Sequence, residues 1–597
     1  MTAPDALAAR ELYDVLKTAD GVLDALERLT VPRQGVLIEQ GSDADALYLV
    51  ETGRFEVRRN DIVLAEIGPG ETAGEIGLFT GGPRTASVIA ARDSTVLKLS
   101  AQEYRAACAE NPDFAQAVAR VLAQRLTETS ARVRQSPSAP KSRSVTILPA
   151  GGAGLPGGLL ASLVTALAQG AGARAVFRSD LVPEGASAVD ADAAAEWMHA
   201  QEASGQAIIY VADADDDDWT RLALRQSDQV LIVGMAGDPP EMSETERFAF
   251  DIFAQDHRRL ALIHPEHRDW VTGTEHWLDS RPVFMHHHIA EGDQRDIDRL
   301  GRFLTGRALG FVASGGGAFG ALHTGIYQAL RDRGLSFDIF GGTSVGSAMT
   351  AAFAMGLDGH EIDARTGDIF VTNAAMGKLT VPRYSLLDHT VFDAQIRKHY
   401  TANLIENLWY PFFAVATDLS ENTAHIIRRG PLWEAVRASS AIPGVLPPFY
   451  TSDGRMLADG GSMDNMPYRQ MHALKSGPNV VVSFPKPGRQ RFQVDYKALP
   501  GRWSLLRKLI WPFGKRPPRA PGIVPVVMRS ILVRQASEPL DLAPGDWHIQ
   551  ASAPSGTGFL DWRKHNALFK AGFGIVEDQV ADRGADDARA AILRMAR

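Results

Sequence analysis

The sequence predicts a multidomain chain: a β-rich unit closed by helices, then two successive α/β units with mostly parallel sheets. Three observations predict it. Residues 46–71, "ALYLVETGRFEVRRNDIVLAEIGPGE", alternate apolar and polar positions around a turn at Asn60-Asp61, the period of half-buried strands. From Val145 the pattern changes to buried-strand runs ("SVTILP", "AIIYVADAD", "QVLIVGMAG", "LALIHP") alternating with turns and apolar-periodic helices. A second run of this kind begins at Ala308 with "ALGFVAS". Strands alternating with helices build parallel sheets.

Composition bounds what this chain can be. It has 597 residues, 45% hydrophobic and 22% charged, which is ordinary globular usage and room for three or four domains. A net charge of −9 gives no global attraction to nucleic acid or anionic lipid, so such contacts need a local patch. The single cysteine, Cys108, excludes an intrachain disulfide and suits a reducing compartment. The start "MTAPDALAARELYD" lacks the basic-then-apolar pattern of a signal peptide. No apolar run is long enough to span a bilayer, so the expected location is cytoplasmic, or peripheral on the inner face of a membrane.

In the first unit, Ser100 and Glu103 have the spacing of a capping box opening a helix. Just upstream, residues 73–100 read "AGEIGLFTGGPRTASVIAARDSTVLKLS". A Gly-Glu pair opening a short helix, followed by Pro-Arg before a strand, suits a cyclic phosphate: helix N–H groups and a guanidinium meet the anion. This stretch resembles the phosphate-binding cassette of the cyclic-nucleotide-binding domain family. The resemblance implies a β-roll with helices, with Gly74 and Glu75 opening the helix of the nucleotide site, Glu75 on the ribose 2′-hydroxyl and Arg84 on the phosphate. Thr85 falls where a hydroxyl can contact guanine, but it equally suits cAMP or packing. Transcription factors with this domain append a helix-turn-helix; here an α/β chain follows, which argues against nucleic acid as a partner. "QSPSAPKSRS" (135–144) has linker composition.

Three stretches of the middle region have dual readings. Gly152-x-Gly154-x-x-Gly157 follows a strand run, with Asp180 further on, so it fits either a dinucleotide turn or a tight β–α connection. Pro156 inside the turn speaks against the nucleotide. "MHHHI" (285–289) puts His286 and His288 on one face of a strand, without further ligands to complete a metal site. "DADDDDW" (213–219) lacks the Gly and closing Glu of a calcium loop and reads as a solvated turn.

The third unit carries the chemistry. "SGGGAFGALHTG" (314–325) follows a strand and opens a helix, and its spacing alone fits a dinucleotide or an oxyanion. The strand after it, "SFDIF", with Asp338 inside it, runs into Gly342-Thr343-Ser344-Val345-Gly346 rather than ending in an acid. G-x-S-x-G between a strand and a small-residue helix is the setting of a nucleophile elbow. Later come "VRASSAIPGVLPPFY" and "GRMLADGGSMDNMPYRQ", the latter with Asp459-Gly460-Gly461, Asn465 and Pro467. These four blocks in this order, over about residues 308–475, resemble the patatin-like phospholipase family. With "LRQSDQVLIVG", "EHWLDSRP" and "GRFLTGRALGFVASGGG", and a cyclic-nucleotide domain upstream, the chain is similar to the bacterial relatives of neuropathy target esterase.

That resemblance implies a division into a cyclic-nucleotide-binding domain (1–134), a linker (135–144), an α/β spacer (145–306) and a three-layer patatin-like catalytic domain (307–480). A C-terminal region (481–597) would complete the catalytic domain. It implies a serine esterase with Ser344 as nucleophile and Asp459 as base. Backbone N–H groups of Gly315, Gly316 and Gly317 would form the oxyanion hole, and Gly342 and Gly346 would permit the elbow. No metal or catalytic cofactor is needed; cAMP or cGMP would be an allosteric ligand. The one departure is Phe319, where the family usually has Arg or Lys. His323, on the following helix, reads as a packing residue because the dyad needs no His.

Residues 486–519 hold ten Lys/Arg against one acid, Asp495, interleaved with Trp and Leu. Arg502, Trp503, Arg507, Lys508 and Trp511 are the expected membrane-surface residues, the composition being that of an interfacial anchor. The expected function is therefore hydrolysis of fatty-acyl esters of phospholipid or lysophospholipid, regulated by a cyclic nucleotide. The alternatives are a catalytically dead, nucleotide-responsive scaffold and a neutral-lipid or small-ester hydrolase.

Overall fold

The computed structural model describes residues 26–110, 144–203, 206–485, 491–504, 520–530, 540–581 and 587–595, apart from 61, 152–154, 157, 182–190, 214–216, 269, 524 and 528. The linker, most of the Gly152–Gly157 turn, and Arg507, Lys508 and Trp511 lie outside these residues. The chain divides into two compact units, one of residues 1–308 with 472–476 and the other of residues 309–471 with 477–597.

The first unit opens with strands β1 (Glu27–Val31), β2 (Val36–Ile38), β3 (Ala46–Thr52), β4 (Phe55–Arg59), β5 (Ile62–Ile67), β6 (Thr72–Ala73), β7 (Ser87–Ala90) and β8 (Ser94–Ser100). They pair antiparallel into two four-stranded sheets, β1-β8-β3-β6 and β2-β7-β4-β5. Their inward side chains, among them Tyr48, Val50, Phe55, Ile67, Val88 and Val96, make one core. The period-2 alternation put those residues on one face. The expected capping box forms: Ser100 N–H donates to Glu103 Oε2 at 2.7 Å, and Glu103 N–H to Ser100 Oγ at 3.2 Å.

Next come β9 (Ser144–Pro149), β10 (Arg174–Val176), β11 (Ile208–Val211), β12 (Gln229–Met235), β13 (Arg258–His264) and β14 (Met285–Ala290). All pair parallel in the order β10-β11-β9-β12-β13-β14. Two apolar clusters pack on this sheet, one around Ile147, Leu231 and Leu300, the other around Ile232, Leu260 and Trp277. Gly151 N–H donates to Glu246 Oε2 at 2.9 Å. Fully buried Arg281 pairs with the same carboxylate at 2.7 Å. Asp180 accepts from Phe177 N–H at 2.8 Å and caps a local turn. Arg33 joins the two parts of this unit. Its guanidinium donates to the carbonyls of Ile252, Leu224 and Ser227 at 2.9, 3.2 and 2.6 Å and lies 3.7 Å above the Phe253 ring.

The second unit holds β15 (Gly310–Ala313), β16 (Ile339–Thr343), β17 (Phe412–Asp418), β18 (Thr423–Ile427), β19 (Phe449–Tyr450), β20 (Met456–Asp459), β21 (Asn479–Ser483) and β22 (Trp547–Gln550). The order is β19-β20-β17-β16-β15-β21-β22, with β18 also on β17. From β17 to β22 the sheet is parallel, and β20 pairs antiparallel with β17. Every residue of β15, β16 and β17 is buried, so both faces of the sheet centre are covered. Asp338, expected within a strand, immediately precedes β16 and accepts from Leu309 N–H at 2.8 Å. Among the described residues no helix is long and apolar enough to cross a membrane.

Candidate active site

The sharp turn after β16 puts Ser344 at φ 55°, ψ −128°, ahead of helix Val345–Ala354. A non-glycine residue there is strained and has to be held by its surroundings. A Cβ on Gly346 would come within 2.2 Å of the Ala313 carbonyl oxygen, so the helix can start this close to β15 only with glycine at that position. Gly342, the other elbow glycine, is the penultimate residue of β16, just before Thr343.

Asp459 ends β20, two strands away from Ser344. In the register Thr343 faces Val415 and Asp459 faces Ala416, so β17 carries the two residues on its opposite edges at nearly the same height. Ser344 Oγ donates to Asp459 Oδ2 at 2.5 Å, and Gly461 N–H donates to Oδ1 at 2.8 Å. Burial pushes the Asp459 carboxyl up to about 6, against the lowering effect of those two bonds. A carboxylate tuned towards neutrality beside a strained hydroxyl can act as a base for a nucleophile.

The glycine turn approaches the same hydroxyl. The Cβ that glycine lacks at position 315 would lie 3.0 Å from Ser344 Cβ. Gly317 adopts φ +57°, where a side chain would also strike the Phe559 carbonyl oxygen. The expectation that Gly315, Gly316 and Gly317 all donate to the oxyanion needs one correction. Gly315 N–H donates to the Asn465 carbonyl at 3.1 Å, which removes it from service. Gly316 and Gly317 N–H groups have no hydrogen-bond partner among the described residues. His323, fully buried, donates from Nε2 to the Ser314 carbonyl at 2.9 Å and so staples the turn to its helix; burial holds its pKa down at about 4.

Three anchoring side chains were not singled out from the sequence. Ser439 accepts from Ser344 N–H at 2.9 Å and donates to the Val415 carbonyl at 2.6 Å, tying the strained residue to β17. Thr417 Oγ1 donates to the Asp459 carbonyl at 2.9 Å, and Thr343 Oγ1 to that of Asp464 at 2.7 Å. Ser439 stands in the block "VRASSAIPG", but nothing local distinguishes it from its neighbour Ser440. Phe319 packs edge-on against Phe484 and Phe559, with ring centroids 5.7 and 6.3 Å away. An apolar clamp thus stands where the family pattern has a cation.

Ser344 opens onto a cavity bordered by the helix that follows it. Its lining is mostly apolar: Met349, Ala352, Ile362, Ile369, Phe392 and Ile442 are typical. One wall is a π-helical turn, Asp368–Thr372, whose Phe370 stacks flat on Trp562 at 3.6 Å. Mostly apolar walls with a few polar groups at one place are the usual lining of a small-molecule site.

In the N-terminal β-roll, Gly74 (φ 87°) precedes the helix Glu75–Thr80. Glu75 and Arg84 are both buried, each 4% exposed, while Thr85 is exposed. Arg84 donates to the carbonyls of Gly74 and Ala46 at 2.6 and 2.7 Å. Its Nη2 also lies 3.5 Å from Asp45 Oδ1; a guanidinium has five N–H groups, so these partners leave donors over, and the residue types present are those a cyclic nucleotide needs. In the middle region His264 Nε2 and His288 Nδ1 lie 3.0 Å apart, and among the described residues no cluster has the makings of a metal site. Arg502 and Trp503 are exposed and stack at 4.8 Å.

Three families match consecutive stretches: cyclic nucleotide-binding domain (residues 28–111), neuropathy target esterase family P-loop like domain (145–306) and patatin-like phospholipase (311–472). An NTE family protein of Mycobacterium bovis is 31% identical over 76% of this chain and 76% of its own length. A patatin-like phospholipase domain-containing protein of Caenorhabditis elegans is 27% identical over 84% of this chain but 42% of its own. The lysophospholipase nte1 of Neosartorya fischeri is 27% identical over 92% of this chain and 41% of its own. The chain thus spans about two fifths of the worm and fungal relatives. Similar to the Mycobacterium bovis relative over about three quarters of both chains, and matching the family's P-loop like domain, the chain belongs to the neuropathy target esterase family.

Proposed function

We propose that this protein is a serine esterase that hydrolyses fatty-acyl esters of phospholipid or lysophospholipid through Ser344 and Asp459. The observation that carries the reading is the 2.5 Å bond from Ser344 Oγ to Asp459 Oδ2 beside a mostly apolar cavity that Ser344 helps line. The patatin-like domain and the lysophospholipase relative support a lipid ester hydrolase. The acyl chain lies along Met349, Ala352 and Ile369. Ser344 Oγ bonds to the ester carbonyl carbon as its proton passes to Asp459. The carbonyl oxygen, now negative, is met by the N–H groups of Gly316 and Gly317, donors whose removal in such sites costs about 2.7–4 kcal/mol. The C–O bond then breaks and the alcohol leaves with the proton. Water gives a proton to Asp459 and attacks the acyl carbon; the fatty acid departs and Ser344 regains its hydrogen. No metal or cofactor enters these steps.

The reading extends to the rest of the chain. The β-roll would bind cAMP or cGMP through Glu75 and Arg84 and regulate hydrolysis. The domain limits inferred from sequence (1–134, 145–306, 307–480 and 481–597) would hold, and Arg502 and Trp503 would belong to a membrane-facing segment. The test is lysophosphatidylcholine hydrolysis by wild type, Ser344→Ala and Arg84→Ala, with and without each nucleotide. Wild-type activity lost in Ser344→Ala supports the esterase; equal activity in the two refutes it. A nucleotide effect absent from Arg84→Ala supports regulation. Faster turnover of triglyceride than of lysophosphatidylcholine would instead favour a neutral-lipid hydrolase.

A further inference from the structure

Residues 377–384, Gly-Lys-Leu-Thr-Val-Pro-Arg-Tyr, are exposed without interruption. Leu379 is 81% exposed, Val381 82% and Tyr384 73%. Single exposed apolar residues are ordinary, but three large ones within six positions form a patch. The segment is not loose chain. Leu379 bridges Leu387, Thr380 N–H donates to the Leu386 carbonyl at 3.1 Å, and Asp388 N–H to that of Lys378 at 2.9 Å. The returning arm is fixed in turn: Leu386 and Leu387 N–H groups donate to the carbonyls of Gly444 and Val445 at 2.9 and 3.0 Å. Met376 before the hairpin, and Ile442 and Leu446 around its anchor, line the cavity at Ser344. A rigid hairpin is therefore bolted to two stretches of the cavity wall.

Its charge is one-sided. Lys378 and Arg383 lie within the exposed stretch, and it contains no acid. Arg383 stacks over Tyr384 at 5.2 Å, so an aromatic ring and a cation travel together. Apolar tips flanked by cations, with an amphipathic aromatic beside them, match the boundary between acyl chains and anionic headgroups.

We propose that the 377–384 hairpin is a lipid-surface anchor, sinking Leu379, Val381 and Tyr384 into an anionic membrane so that the cavity draws its substrate from the interface. The proposal rests on the reading of that cavity as an acyl site. The test is co-sedimentation of the full chain with vesicles of phosphatidylcholine, with and without phosphatidylglycerol. The same proteins are assayed on water-soluble p-nitrophenyl butyrate. Leu379→Asp with Val381→Asp should weaken vesicle binding at least about tenfold, the apolar insertion being lost. Lys378→Ala with Arg383→Ala should weaken binding only to phosphatidylglycerol vesicles, by about fivefold per charge. Butyrate hydrolysis should be unchanged in both. Wild-type vesicle binding by the aspartate variant overturns the proposal, as does a parallel loss of butyrate hydrolysis, which would make the hairpin part of the cavity. Vesicle binding is read without turnover, so an inactive wild type would refute the esterase reading and leave the anchor decided on its own result.

Discussion

Changing Asp459 to Asn should disable the protein and stabilise it at the same time. Burial raises this carboxyl from its ordinary 3.8 to about 6, although Ser344 Oγ and Gly461 N–H both favour the charged form. A group whose folded pKa lies above its unfolded one lends stability that is complete below the unfolded value and is lost as pH rises through the folded value. The interval from 3.8 to about 6 is worth about 3 kcal/mol, the cost of keeping Asp459 ionised in the native state above neutrality. Asn has the same shape and still offers an oxygen to Gly461, but carries no charge. The variant should therefore melt roughly 6–12 °C higher than wild type at pH 8, and near pH 5 the gain should shrink to about half. Calorimetry at both pH values reads this. Ester hydrolysis by the variant should fall at least about a thousandfold, as when a catalytic base is removed elsewhere. Wild-type activity should drop about tenfold from pH 7 to pH 5 as the base takes up its proton. An unchanged melting point at pH 8, a gain that persists undiminished at pH 5, or an active Asn variant would each refute the reasoning.

Three further outcomes follow from particular contacts. Ser439→Ala strands the buried Ser344 N–H and the Val415 carbonyl; stability should fall by about 1–3 kcal/mol, and kcat should fall with KM little changed, read by denaturation and steady-state kinetics. Ala352→Phe narrows the cavity wall; kcat/KM for long-chain esters should drop about tenfold or more, while p-nitrophenyl butyrate turnover is kept. Arg33→Ala removes the guanidinium that ties the β-roll to the carbonyls of Ile252, Leu224 and Ser227; fluorescent cyclic-nucleotide binding should survive, and any nucleotide effect on hydrolysis should be lost.

Legibility in the sequence depended on range. The Ser344 elbow, the glycine turn and Asp459-Gly460-Gly461 could be read because each is a local backbone requirement written in adjacent residues. The alternation of β3–β5 and the buried runs of β9, β11, β12 and β13 were readable for the same reason. Ser439 was not, because its role is defined by a strand it meets only in the fold. Nor could the loss of Gly315 as a donor be seen, since the carbonyl that takes its N–H belongs to Asn465, 150 residues away. Phe319 looked anomalous only until Phe484 and Phe559 were beside it. Asp180 tempted a dinucleotide reading, yet its oxygen is used on the turn that carries it.

The register of β20 on β17 has a kinetic consequence. Ser344 and Asp459 are 115 residues apart and meet only when Asp459 is opposite Ala416. A slip of one position would turn the carboxylate to the other face of the sheet. Contacts between residues this far apart in the chain form slowly, because loop entropy is spent before the contact repays it. Recovery of esterase activity during refolding should thus trail the return of tryptophan fluorescence, making turnover itself a report on when this register closes.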